Sequence, residues 1–244
     1  MIDTILFDLD GTLLQFTQEA FIKAYFAKLG KVFVKLGMDA EASVKAVWAG
    51  TKAMFQNDGS MTNHERFWTV FAEALGLTGD TEKLKAIETS CDAFYVNEFD
   101  SIKEIMTPGD IPKRLVQALK AKGYNLALVT NPLFPECAVT TRLSWVGLKP
   151  GDFSLVTHYA NCSFCKPHQG YYREVFAKIG KKPEQCLMVG NSPVEDMSAE
   201  VLGVETFLVT DCLENESGTD ISTFRNGTLD ELEEFLLLMP ALEK

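Results

Sequence analysis

Short apolar runs alternating with amphipathic segments after residue 105, preceded by one similar run at the start of the chain, constrain this fold more than any bulk property does. Asn125 to Thr130, Phe153 to Thr157, Cys186 to Val189 and Thr206 to Val209 read as buried strands. Segments near 134–146, 169–179 and 193–202 carry helical spacing between them. Such alternation implies right-handed βαβ crossovers, hence a parallel sheet with helices on both faces.

The opening run, Thr4-Ile5-Leu6-Phe7-Asp8-Leu9-Asp10, is a further buried strand that ends in carboxylates, with Gly11-Thr12 turning the chain. From about Gln15 to Glu104 no comparable strand occurs. Phe21, Tyr25, Phe26 and Leu29 recur at helical spacing there, as do Val44, Val47 and Trp48, then Phe67, Val70, Phe71 and Leu75. The expected architecture is α/β, a doubly wound parallel sheet built from residues 1–14 and 105–244, interrupted by an α-helical cap at 15–104. Ligands in such sheets bind outside the carboxyl ends of the strands, so chemistry is sought there.

Composition excludes some partners. A formal charge of −11 with dispersed lysines argues against nucleic acid. No stretch reaches the roughly 20 apolar residues of a membrane span, and no basic segment leads into an apolar one at the start. Six cysteines scattered through 244 residues read as reduced thiols, so a cytoplasmic location is expected.

Four strand-end sites carry candidate chemistry: Asp8 and Asp10, Thr130-Asn131, the loop at Lys166-Pro167, and Val189-Gly190-Asn191-Ser192-Pro193-Val194-Glu195-Asp196. Asp8-Leu9-Asp10-Gly11-Thr12 resembles the first motif of the haloacid-dehalogenase (HAD) superfamily, and the other three resemble its second to fourth motifs in order. The resemblance spans the whole chain, because that family also places a helical cap after its first motif. It implies a phosphatase with a Rossmann-like core, acting on a small phosphorylated metabolite with Mg2+ as cofactor.

A phosphate monoester needs an aligned oxygen nucleophile, cations against its equatorial charge, and an acid for the leaving group. The resemblance assigns Asp8 as the nucleophile that becomes an aspartyl phosphate, and Asp10 as the acid that then serves as base. Thr130 and Asn131 would bind the phosphoryl group, and Lys166 would hold nucleophile and phosphate together. A helix N-cap and a surface lysine are the plain alternatives at Thr130 and Lys166. The metal set implied is Asp8, Asp10, Asn191 and Asp196. Asn191 stands where an aspartate is usual, which predicts weaker metal binding. Ser192-Pro193-Val194-Glu195 reads as a capping box that occupies Glu195, leaving Asp196 to support the metal through water or to hold Lys166.

Cys162 and Cys165, flanked by His158 and His168, could instead form a zinc site or a redox pair, although their spacing is irregular and plain buried thiols are the simpler reading. The cap aromatics Phe16, Tyr25, Phe55, Trp68 and Tyr95 are expected in the core rather than on substrate. A haloalkanoic acid dehalogenase would generally lack Asp10. A phosphomutase or phosphotransferase would keep every residue named, and a non-catalytic binding or regulatory protein could have lost activity through Asn191.

Overall fold

The structure, a computed structural model, describes residues 1–242. Six strands, β1 (Thr4–Phe7), β2 (Asn125–Leu128), β3 (Leu155–Val156), β4 (Cys186–Gly190), β5 (Glu205–Val209) and β6 (Asn226–Gly227), form one sheet. Their order is β3-β2-β1-β4-β5-β6 and every pairing is parallel. This is an α/β, Rossmann-like core. The central strand β1 is buried at all four positions, as expected for a strand covered on both faces.

Successive side chains of a strand point to opposite faces, and the two cores follow that alternation. Ile5, Phe7, Leu126, Leu128, Leu187 and Val189 pack with Leu115, Val116 and Leu119 of α5 (Ile111–Ala121) and with Leu232 and Leu236 of α8 (Leu229–Leu238). Leu6, Ala127, Val129 and Met188 face the other way, against Tyr171, Tyr172 and Val175 of α7 (Gln169–Ile179). The remaining helix of this half, α6 (Glu136–Trp145), contributes Ala138, Val139 and Leu143 to the first core.

Between β1 and α5 the chain forms α1 (Gln18–Lys35), α2 (Ala40–Phe55), α3 (Asn63–Ala74), α4 (Thr81–Asn97) and a 3-10 turn at Phe99–Ile105. Their starts are written locally. Thr17, Asp39 and Asp80 each accept a hydrogen bond from the amide three residues on, and Thr62 with Glu65 forms a reciprocal capping box. Each cap contributes about 1 kcal/mol. Phe21, Tyr25, Leu29 and Phe33 of α1 continue the first core, so helices and sheet share one apolar interior.

Four elements depart from the sequence reading. The strand expected over 153–157 shrinks to Leu155–Val156 at the sheet edge. The helix expected over 193–202 is a turn followed by a 3-10 segment, Met197–Leu202, because the Asp196 carboxylate folds back onto the Ser192 amide. Beyond β5, β6 and α8 close the sheet without having been anticipated.

Candidate active site

The strand order reverses at β1 and β4, the position where open α/β sheets bind ligands. Asp8 leaves β1 here, its amide donating to the Val189 carbonyl of β4 at 2.9 Å. Gly11 turns the chain next, with φ +74°, and a Cβ there would run into the Asn191 amide, so only glycine brings the two loops this close.

Lys166 is 1% exposed, and its ammonium lies 2.8 Å from Asp8 Oδ1 and 2.6 Å from Asp196 Oδ1. Burial pushes the Asp8 carboxyl well above the usual range against the pull of Lys166, and the charge of Asp196 adds to the rise. For Lys166 burial acts downward, but the two carboxylates outweigh it and hold the ammonium charged. One cation thus serves two buried anions.

Asp196 also accepts from the Ser192 amide through Oδ2 at 3.0 Å, so both of its oxygens are occupied by protein groups. Of the two roles expected for it, the hold on Lys166 is present as a hydrogen bond. A Cβ on Gly190 would collide with this carboxyl, which explains the glycine. The capping-box reading of Glu195 is corrected at the same point. The Ser192 hydroxyl does accept from the Glu195 amide at 3.2 Å, yet the Glu195 carboxylate turns to the site and accepts from Asn131 Nδ2 at 2.8 Å. Burial pushes the Glu195 carboxyl up to about 7, Lys166 opposing.

Asn131 joins the loops, since its Oδ1 also accepts from the Lys166 amide at 3.2 Å. Thr130 is anchored through its carbonyl, which accepts from Thr157 Oγ1 at 2.7 Å and from the Tyr171 hydroxyl at 2.9 Å. The Thr12 hydroxyl stands 3.4 Å from Asp8 Oδ2 and 3.2 Å from Asn191 Oδ1, so these two oxygens flank one point. Asn191 Nδ2 donates to the Cys212 carbonyl at 2.7 Å, which turns the amide oxygen inward.

Two residues were missed. Arg142 of α6 is fully buried, donates through Nη1 to Asp10 Oδ2, and lies 4.5 Å from the Phe134 ring centre. Asp10 Oδ1 is buried without a partner. The only available signal for Arg142 was a cation at position 142 inside the apolar periodicity of α6. Glu214, after β5, borders the same cavity, and burial together with the charges of Glu195, Asp196 and Asp10 pushes its carboxyl up to about 7.

The cavity, about 220 Å³, runs from these strand ends into the helical segment. Of the aromatics expected in the core rather than on substrate, Phe16, Tyr25 and Tyr95 are buried there, and all five, with Phe55 and Trp68, border the cavity. A helix shows one apolar stripe whether that stripe meets another helix or a cleft, so spacing could not separate the two. The helical segment docks through Asn63, whose amide donates to the Cys162 carbonyl at 2.8 Å and whose side chain reaches the carbonyls of Pro132 and Phe164.

Cys162 and Cys165 point into different apolar clusters, and His168 Nδ1 caps α7 by accepting from the Gly170 amide at 3.0 Å. Among the described residues no three His, Cys, Asp or Glu side chains are grouped to hold a metal ion, which removes the zinc reading. No helix among them is long and apolar enough to cross a membrane.

An open parallel sheet with a strand-end aspartate, a buried lysine and an intervening helical segment makes this a Rossmann-like α/β protein with its candidate chemistry at the strand ends. A haloacid dehalogenase-like hydrolase profile matches residues 2–200, and the chain belongs to that family. The pyrophosphatase PpaX of Bacillus anthracis is 22% identical over all of this chain and 99% of its own length. The magnesium-bound HAD-hydrolase YfnB of Bacillus subtilis superposes with a TM-score of 0.58 at 24% identity, over 96% of this chain and 98% of that one. A 2-haloacid dehalogenase of Pseudomonas syringae pv. Tomato DC3000 gives 0.64 at 20% identity, over 97% and 98%. These likenesses establish the shared fold.

Proposed function

We propose that the chain is a magnesium-dependent phosphatase that hydrolyses a small phosphorylated metabolite through an aspartyl phosphate on Asp8, with residues 15–104 acting as a cap over the core of 1–14 and 105–244. The observation that carries this reading is the placement of Asp8 on Lys166 at the base of the cavity, beside the unpartnered Oδ1 of Asp10. PpaX, whose name specifies a phosphorus-centred hydrolysis, points the same way. Asp10 favours this reading over a dehalogenase.

The donors are of the type a hard divalent cation takes: the carboxylates of Asp8, Asp10, Glu195, Asp196 and Glu214 and the amide of Asn191 border one cavity, although they are not gathered about a single point. Asp8, Asn191 and Asp196 would hold it together with waters, leaving the Asp10 side chain for proton transfer, and it would supply the positive charge that offsets the transferring phosphoryl group.

The steps left to the protein follow from the contacts. Lys166 orients the Asp8 carboxylate, whose oxygen forms a bond to phosphorus as the bond to the leaving oxygen breaks. Arg142 holds Asp10 Oδ2, so the proton for the departing alcohol resides on Oδ1, the oxygen without a protein partner. The same oxygen then takes a proton from the water that hydrolyses the aspartyl phosphate, returning Asp8. Thr130 and Asn131 border the phosphate side of the cavity, and the helical segment above excludes bulk water.

Phosphate release from phenyl phosphate, with and without magnesium, tests the reading. The native chain is expected to turn over only with the metal, and Asp8→Asn to be inactive. Undiminished activity in Asp8→Asn rejects the nucleophile assignment.

A further inference from the structure

The wall of the cavity that belongs to residues 15–104 differs in chemistry from the wall at the strand ends. Phe16, Phe21 and Tyr25 stack face to face, with ring centres 5.3 and 5.9 Å apart and planes 13° and 5° from parallel. Tyr95 continues the stack from Tyr25 at 6.3 Å and 15°. The two tyrosine hydroxyls hydrogen-bond each other at 2.6 Å, which uses one of their two protons. Trp48 and Trp68 border the same wall, and the indole nitrogen of Trp68 is buried without a partner.

Among the described residues no lysine, arginine or histidine borders the cavity, and the one formal charge on its helical wall is the carboxylate of Asp92. Burial and the neighbouring Glu88 charge push that carboxyl up, against Cys137 and His64. A second anionic group on a substrate would be desolvated there with no counter-charge, a placement proteins avoid. An aromatic or branched apolar body meets complementary rings instead. The space is adequate, since a dry cavity of about 150 Å³ already admits benzene and this one measures about 220 Å³.

Building on the phosphatase reading, we propose that the substrate is a phosphate monoester of an apolar, aryl-sized alcohol bearing no second anionic group. Pyrophosphate and phosphorylated carboxylic acids are disfavoured by the same wall.

Hydrolysis-resistant phosphonates separate this preference from turnover. Binding of benzylphosphonate, methylenediphosphonate and phosphonoacetate to the native chain with magnesium is read by calorimetry and by tryptophan fluorescence, because two of the three tryptophans border the cavity. Benzylphosphonate is expected to bind at least tenfold more tightly than either doubly anionic compound. Trp48→Ala, at a side chain 46% exposed and so tolerant of truncation, is expected to weaken benzylphosphonate about tenfold and methylenediphosphonate less than twofold. Equal or tighter binding of methylenediphosphonate or phosphonoacetate overturns the proposal. Aryl preference in binding without phosphate release from any monoester would reject the phosphatase reading while supporting the ligand class; turnover that favours pyrophosphate would do the reverse.

Discussion

Replacing Lys166 by methionine tests the electrostatics of the site most directly. The side chain is fully buried, and its ammonium is the one cation shared by Asp8 and Asp196 at 2.8 and 2.6 Å. Methionine keeps most of the stem and deletes the charge, leaving two carboxylates in a dry site. Removing one partner of a buried ion pair costs about 3–5 kcal/mol, so a loss of about 4 kcal/mol is expected at pH 8. The sign of its pH dependence follows from Asp8. Its carboxyl is already raised above the unfolded value of 3.8, so folding loses stability as pH climbs from that value toward the folded one. Without the ammonium that window widens upward. A proton regained on acidification removes one of the two uncompensated charges, so the loss should be smaller at pH 5 than at pH 8. Urea unfolding in the presence of a chelator measures both values at constant slope. A loss under about 1 kcal/mol at pH 8, or one that grows on acidification, refutes the shared-cation account.

Arg142→Lys should destabilise the fold by about 3 kcal/mol in urea and lower kcat for an aryl phosphate, because an ammonium cannot reproduce both the Asp10 contact and the packing on Phe134; native stability and kcat in the variant would contradict this. Glu195 titrates near 7 when folded against an ordinary 4.5, so it withdraws stability as pH rises between those values. Glu195→Gln keeps an acceptor for Asn131 and should flatten that decline, gaining about 2 kcal/mol over the native chain at pH 8 after allowance for partial exposure, as read by urea midpoints across pH. Asn191→Asp adds a charge beside Asp8 and should tighten magnesium several-fold by calorimetry on metal-free protein; an unchanged affinity would argue against Asn191 as a ligand.

The framework of the fold was legible because its signals are local. Apolar runs at Ile5–Phe7, Leu126–Leu128 and Leu187–Val189 can be satisfied only as buried parallel strands, and capped helical stretches at 18–97 have no strand among them. Asp8, Asp10, Thr130, Asn131, Asn191 and Asp196, read from strand ends and motif order, border one cavity, and Lys166 contacts Asp8 at its base. Which of Glu195 and Asp196 caps the turn was decided by tertiary structure, since Lys166 arrives from a distant loop and draws Asp196 inward. Arg142 could be known as the partner of Asp10 only once α6 had packed on the sheet, 132 residues from it in sequence. The cap aromatics show the same limit: their periodicity specifies an apolar face, and only the docking of Asn63 on the strand-end loops turns part of that face into the wall of a cavity. Chain-local physics determines the elements and the chemistry at their ends, whereas the choice of partner for each charge and ring depends on contacts between segments remote in sequence.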